Sequence, residues 1–306
     1  MSEPSLHGWT PVWIRTTGEP AVDWAILRAP LADPFFEQTA ARAMQHPFNQ
    51  LFARETPLDA LAREGEPGSS AVPDGFVFHM SRSGSTLVAQ MLAALPSSIV
   101  VSEAQPLDAI LALRRADRLS DDAAAGALRG GLAALARRRR GERRLFVKFH
   151  ASHVADLPLI ARAFPGVPWV FLFREPRAVL RSQEATLGAE AFATTLNGVA
   201  EDEYGAGAVA GYCQAALRHA HLGRSLFVDY ASLPDAVLTA ILPFFGIALD
   251  AETEERLRAV ARRDTKRSGD FVPREHPAAA PRIDELAARW LDGPYAALRT
   301  LAAAPR

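Results

Sequence analysis

The stretch Asp74-Gly75-Phe76-Val77-Phe78-His79-Met80-Ser81-Arg82-Ser83-Gly84-Ser85-Thr86 decides how this chain is read. A short apolar run enters a turn of small residues and then the amphipathic Leu87-Val88-Ala89-Gln90-Met91-Leu92. Strand, tight turn and helix start together make a phosphate cradle, because the first N–H groups of a helix and its dipole both face an anion. A nucleoside triphosphatase would need Gly-x-x-x-x-Gly-Lys-Ser/Thr. Here His79 stands at the first Gly position and Ser85 at the Lys position, so the lysine that reaches β- and γ-phosphates is missing. The positive charge lies inside the turn, on Arg82.

A second block supports the first. Pro168-Trp169-Val170-Phe171-Leu172-Phe173 has the length and apolarity of a buried strand, and Arg174-Glu175-Pro176-Arg177-Ala178-Val179-Leu180-Arg181-Ser182 follows it. Pro176 suits the first turn of a helix. Ser182, six residues further on, lies between one and two turns in, which lets Arg174 and Ser182 approach one point above the end of a sheet. An arginine fork with a hydroxyl suits a phosphate monoester.

With 306 residues and about half of them hydrophobic, the chain has material for one large core. A net charge of −1 exerts no global pull toward nucleic acid or an anionic membrane. The single cysteine, Cys213, rules out an internal disulfide framework and reads as a small buried hydrophobe. The N-terminus has no basic region before an apolar core, and no run of about 18 apolar residues occurs, so a cytoplasmic protein without a membrane span is expected.

Strand-like and helix-like runs alternate, which predicts an α/β domain whose mostly parallel sheet is flanked by helices. The expected strands are Phe76 to Met80 at the centre, Ser98 to Val101, Leu145 to Phe149, Trp169 to Phe173 and Leu226 to Val228. Helices are expected at Gln105 to Arg115, Asp121 to Arg140, Ala206 to Ala220, Ala251 to Arg263 and Ile283 to Leu301, with a break or kink at Gly293-Pro294. Residues 1–72, with three of the five tryptophans and a linker-like Arg63 to Ser70, read as an N-terminal appendage. Residues 73–306 form the main domain.

The two blocks resemble the P-loop sulfotransferases, whose loop reads Lys or Arg, Ser-Gly-Thr/Ser-Thr, and whose Arg-x-Pro is followed by a Ser eight residues after the Arg. The likeness spans roughly residues 74 to 270. It implies that Ser81, Arg82, Ser83, Gly84, Ser85 and Thr86 grip the 5'-phosphosulfate of 3'-phosphoadenosine 5'-phosphosulfate (PAPS), and that Arg174 and Ser182 hold its 3'-phosphate. Phe227-Val228-Asp229-Tyr230 is similar to the segment whose Tyr lies near the adenine, although Ala231-Ser232 replaces the family's acidic pair. Arg262 to Phe271 resembles the late basic loop over PAPS, with Lys266 and Arg267 as its phosphate contacts. Leu87 stands where the family places a tryptophan that stacks on adenine.

The implied reaction is in-line transfer of a sulfuryl group from PAPS to a hydroxyl or amine, releasing adenosine 3',5'-bisphosphate, with no metal required. The leaving oxygen gains charge and the acceptor loses a proton, so cations and a base are needed. Arg82 and Lys148 are the candidate cations. Two residues compete for the base. Glu103, past the end of Ile99-Val100-Val101-Ser102, resembles the catalytic glutamate of tyrosylprotein and some bacterial members. His150, in Lys148-Phe149-His150, resembles the Lys-x-His of cytosolic members and needs little tuning at neutral pH. Ala151-Ser152 replaces the Leu-Pro pair that normally follows, and Glu103 is therefore preferred. A P-loop kinase using ATP, or a non-catalytic nucleotide-binding module, is the alternative.

Arg137 to Arg140 reads as a basic helix terminus and not a nucleic-acid site. His150 and His153 lack a third ligand with metal-site spacing. Tyrosyl peptide, carbohydrate, lipid and small-molecule acceptors all stay open, and no motif speaks to oligomeric state.

Overall fold

The computed structural model describes residues 5–28, 31, 33–64, 72–137, 141–187, 195–196, 199–262 and 281–304. Its strands are β1 (Trp9–Arg15), β2 (Ala21–Ile26), β3 (Arg54–Pro57), β4 (Gly75–His79), β5 (Ser98–Ser102), β6 (Arg144–Lys148), β7 (Trp169–Phe173), β8 (Thr195–Leu196), β9 (Val199–Ala200) and β10 (Ser225–Asp229). Five form a parallel sheet in the order β10-β7-β4-β6-β5, so the strand before the phosphate cradle is central. β4 and β7 are buried at every residue. That is why both read as continuous apolar runs and not as alternating ones.

The chain divides into two compact units: residues 1–75 with 92–149 and 158–167, and residues 76–91 with 150–157 and 168–306. In the first unit β1, β2 and β3 make an antiparallel sheet, and β5 pairs β6 in parallel from Ser98 opposite Arg144 to Ser102 opposite Lys148. The N-terminal strands are tied to this part of the chain by side-chain amide chemistry. Ile14 N–H donates to Gln105 Oε1 at 2.8 Å, and Gln105 Nε2 donates back to Ile14 O at 2.9 Å. Asp74 clasps the start of β6: its N–H donates to Leu145 O at 2.7 Å, and its carboxylate accepts from Leu145 N–H at 2.8 Å.

In the second unit β7 pairs with β10 and with β4, both parallel. Helix Pro176–Leu187 starts on the proline anticipated for its first turn. Arg177 fastens the C-terminal helices to it, donating to Asp284 at 2.8 Å and to both oxygens of Asp292 at 2.9 and 3.2 Å.

The expected strands hold to within a residue at each end, and four expectations for the helices shift. The helix expected at Asp121 to Arg140 spans Asp121–Leu135, with residues 138–140 outside the described ones. The helix expected from Ala206 begins five residues earlier at Glu201, with Asp202 and Glu203 in its first turn where carboxylates complement the dipole, and it ends at Arg218. The helix placed at Ala251 to Arg263 closes at Ala261. At the C-terminus the break expected at Gly293-Pro294 is instead a π-type turn, Ala287–Leu291, running directly into helix Asp292–Ala303. Pro294 sits in the first turn of that helix, where a missing N–H costs nothing.

Candidate active site

The turn after β4 is held in an uncommon backbone conformation. Ser81 has φ 76°, Arg82 φ 52° and Gly84 φ 84°. Two left-handed non-glycine residues in a row are strained, which turns must offset elsewhere. Three bonds do so here. Ser81 N–H donates to His79 Nδ1 at 3.1 Å, Ser83 Oγ donates to Leu172 O on β7 at 2.9 Å, and Arg174 Nη1 donates to Arg82 O at 3.2 Å. A Cβ added at Gly84 would lie 2.7 Å from Leu233 Cδ1 and 3.0 Å from Tyr230 Cδ2, so space as well as φ requires glycine. Ser85 and Thr86, both buried, open helix Ser85–Ala93 behind the turn. Because the Ser83 hydroxyl hydrogen is committed to Leu172 O, that side chain anchors the loop, and only its backbone N–H faces the question of an anion.

The second block meets the first at Arg82. Its Nε donates to Ser182 Oγ at 2.7 Å and its Nη2 to Thr186 Oγ1 at 3.0 Å, linking residues about a hundred positions apart. Thr186 carries no motif. Its only sequence signal is its place four residues after Ser182, on the same face of the helix. Arg174 leaves β7 with its N–H on Met80 Sδ at 3.1 Å and its guanidinium 4.1 Å above the Tyr230 ring. Tyr230 thus stacks on the arginine and borders Gly84.

His150 stands at the N-cap position of the 3₁₀ turn Ala151–Asp156, and its ring is edge-on to His153 at 5.6 Å between centroids. It lines a cleft of about 320 Å³ together with Ser81 of the cradle. Within this unit the structure therefore assembles Ser81 to Thr86, Arg174, Ser182, Tyr230 and His150.

Glu103 and Lys148 belong to the other unit and pair with each other. Lys148 Nζ lies 2.6 Å from Glu103 Oε1, with the two side chains 1% and 13% exposed. The ammonium also sits 4.9 Å from the Phe35 ring centroid. Burial pulls the Lys148 pKa below its ordinary value, and the Glu103 charge opposes that pull. Glu103 has φ 51°, while its N–H extends the β5–β6 ladder by donating to Lys148 O at 2.8 Å. A charged residue in a strained conformation just past a strand is a recurrent mark of a functional position. Lys266 and Arg267 lie outside the described residues.

The sequence matches the model of the sulfotransferase family over residues 73–251, more than half of the chain, and the protein belongs to that family. Family and fold mark it as an enzyme and imply sulfuryl transfer. No curated protein matches the sequence. Among solved structures, a sulfotransferase from Mycobacterium avium superposes with a TM-score of 0.50 at 15% identity, covering 87% of this chain and 93% of that one. The sulfotransferase domain of the olefin synthase from Synechococcus PCC 7002 gives 0.46 at 19% identity, covering 79% and 98%. A mouse sulfotransferase complexed with PAP gives 0.46 at 14% identity, covering 80% and 93%. No helix among the described residues is long and apolar enough to cross a membrane.

Proposed function

We propose that this protein transfers the sulfuryl group of PAPS to an acceptor hydroxyl or amine and releases adenosine 3',5'-bisphosphate. The observation that carries the reading is the convergence of Arg82, Arg174 and Ser182, residues from two distant blocks of sequence, on one strained turn that opens a helix. Two guanidinium groups, hydroxyls and helix N–H groups together form a donor set for phosphate and sulfate oxygens. At Gly84 the positive φ and the Leu233 and Tyr230 side chains both require a residue without Cβ, which fixes the shape of the turn.

In this reading Arg174 and Ser182 hold the 3'-phosphate. Arg82, which donates to Ser182 Oγ through its Nε, is the cation assigned to the phosphosulfate. Ser85 and Thr86 add donors at the helix start, and Tyr230 keeps the Arg174 plane in position. The acceptor oxygen attacks sulfur in line as the bond from sulfur to the bridging phosphate oxygen breaks. The electron pair leaves on the phosphate, and the acceptor proton passes to a base. His150 takes that role here because it lines the same cleft as Ser81, and Glu103, with Lys148 as its partner, stands as the second candidate. Lys266 and Arg267 complete the phosphate contacts by the family's pattern. Residues 1–72 as an appendage, a small-molecule, carbohydrate or peptide acceptor and a cytoplasmic location belong to the same proposal.

The test is calorimetric titration of adenosine 3',5'-bisphosphate, without magnesium, into the wild type and Arg174→Ala. Micromolar binding is expected, weakened about tenfold or more by the substitution, as for loss of a charge-assisted contact. Binding of ATP with magnesium, and none of the bisphosphate, would sink the reading. Comparing His150→Gln with Glu103→Gln in turnover then separates the two bases: the true base loses about a hundredfold or more in kcat.

A further inference from the structure

In the first unit, the short helix Pro47–Leu51 carries an exposed apolar tip. Asn49 pins this helix to its surroundings: Ile26 N–H donates to Asn49 Oδ1 at 2.9 Å, and Asn49 Nδ2 donates to Ala43 O at 2.8 Å and to Ile26 O at 3.1 Å. With Asn49 buried, the residues turned away from it meet solvent. Leu51 is 78% exposed, Phe52 59% and Phe48 38%. The Phe48 and Phe52 ring centroids lie 4.9 Å apart, and Trp9 of β1 adds a third ring 6.3 Å from Phe48, so these side chains form one patch. Contiguous apolar surface of this kind on a folded chain marks a contact with a partner or a membrane. The charge beside the patch has one sign. No Asp or Glu occurs from position 38 to position 54, whereas Arg42, His46 and Arg54 do. The Arg54 guanidinium lies 5.1 Å from the Trp9 ring centroid. Arg28, Arg42 and His46 line a hollow of about 110 Å³ together with Ile26, Leu27 and Ala43. His46 joins that hollow to the patch, because its Nδ1 accepts from Phe48 N–H at 3.1 Å. Asp33 accepts from Arg42 and answers its charge, and Arg28 keeps the rim of the hollow positive.

We propose that this tip docks the protein on an anionic lipid bilayer: Phe48, Leu51 and Phe52 enter the interface, and Arg28, with Arg42 and His46, meets the headgroup phosphates. The arrangement is that of an interfacial amphipathic segment, whose apolar side inserts while its basic side is drawn to anionic lipid. Aromatic rings also favour the headgroup level, where an apolar body and a polar neighbour are both satisfied. The whole chain, with a net charge of −1, has no global pull to such a surface, so the attraction is local to this segment. Charge argues against a second copy as the occupant. A twofold contact sets the patch against itself, and the guanidinium groups would meet with no carboxylate between positions 38 and 54 to pair with. Three side chains also fall well short of the ~800 Å² a side that a stable protein interface buries. Bilayer binding has no such threshold, because it grows with the apolar area inserted and the charge beside it. Docking of this size is reversible, and it depends on neither the co-substrate nor the acceptor.

The experiment is co-sedimentation of the full chain with vesicles of phosphatidylcholine, either alone or with about a third of phosphatidylglycerol to supply the negative surface. The variants are the double change Leu51→Ser with Phe52→Ser, and Arg28→Gln. All three positions are exposed, so melting temperatures should stay at the wild-type value. The wild type should bind the anionic vesicles about tenfold or more tightly than the neutral ones, and added salt should erase that difference. The double variant should lose about tenfold or more on anionic vesicles, and Arg28→Gln about threefold to fivefold. Absence of binding to anionic vesicles overturns the inference. So does equal binding to both kinds of vesicle, or binding that neither variant weakens. A lipid-free dimer in sedimentation equilibrium that the double variant dissociates, with no vesicle binding, assigns the patch to a second copy instead.

Discussion

Two strand ends in this molecule solve the same backbone problem with opposite electrostatics. After β4, Ser81 and Arg82 are left-handed, and the Arg82 guanidinium donates to the neutral hydroxyls of Ser182 and Thr186. After β5, Glu103 is left-handed, and its carboxylate is paired with a buried ammonium. Hydroxyl partners are easily exchanged for an anion, since they carry no formal charge to be stripped away. A buried ion pair is not, because separating it leaves a charge without water or partner. Exchanging those hydroxyl contacts is thus less costly at the first turn than separating the ion pair at the second.

The largest effect should come from breaking the second arrangement. Lys148→Met leaves the Glu103 carboxylate without its ammonium, and urea unfolding should show a loss of about 3 kcal/mol or more. Adding Glu103→Gln should restore much of it, since the pair then disappears together. If the single variant is as stable as the wild type, the pair is not the fixed element described here. At the first turn, Gly84→Ala forces a Cβ against Leu233 and Tyr230 at a φ of 84°. Roughly 1–3 kcal/mol of stability is expected to go, along with most binding of the bisphosphate, because Tyr230 carries Arg174 on its ring. Unchanged binding would mean that the turn tolerates a looser geometry.

Smaller changes sharpen the contrast. Thr186→Val removes one hydroxyl partner of Arg82, and bisphosphate affinity should change by only about threefold to tenfold, within the worth of one hydrogen bond. A larger change would make Thr186 a direct phosphate contact. A third strand end, after β10, gives the smallest effect. There Tyr295 donates to Asp229 at 3.0 Å, and burial, followed by that bond, pushes its hydroxyl up to about 12 from 10.0. The folded state holds the phenol proton more tightly than the unfolded chain does. Its contribution is full below pH 10 and fades as pH rises through about 12. Melting temperature should accordingly fall less steeply over that range in Tyr295→Phe than in the wild type.

Much of the sheet was legible because a strand covered on both faces must be apolar nearly throughout: β7 is so at every position and β4 at all but its last residue, His79. Helix limits were read less well where two signals compete. Gly205 and Gly207 argue against helix, yet the acidic run Glu201 to Glu203 starts one. The strand, turn and helix start around Ser81 to Thr86 were readable from residue types alone, as was the turn from Arg174 into the helix that carries Ser182. The Thr186 contact with Arg82 was not, since a threonine on a helix face looks alike whether it meets solvent or a guanidinium.

Local sequence determined the order of strand, turn and helix, the glycine at position 84 and the arginine at each of two strand ends. These follow from steric limits and periodicity, which act over a few residues. Only the tertiary structure decided the partners. That Arg82 reaches Ser182, that the Ser83 hydroxyl is spent on Leu172, and that Lys148 is matched to Glu103 and not to a ligand all depend on which strands lie side by side. Hydrogen bonds and ion pairs act over a few ångströms of space, whereas the residues they join here lie between 45 and 100 positions apart along the chain.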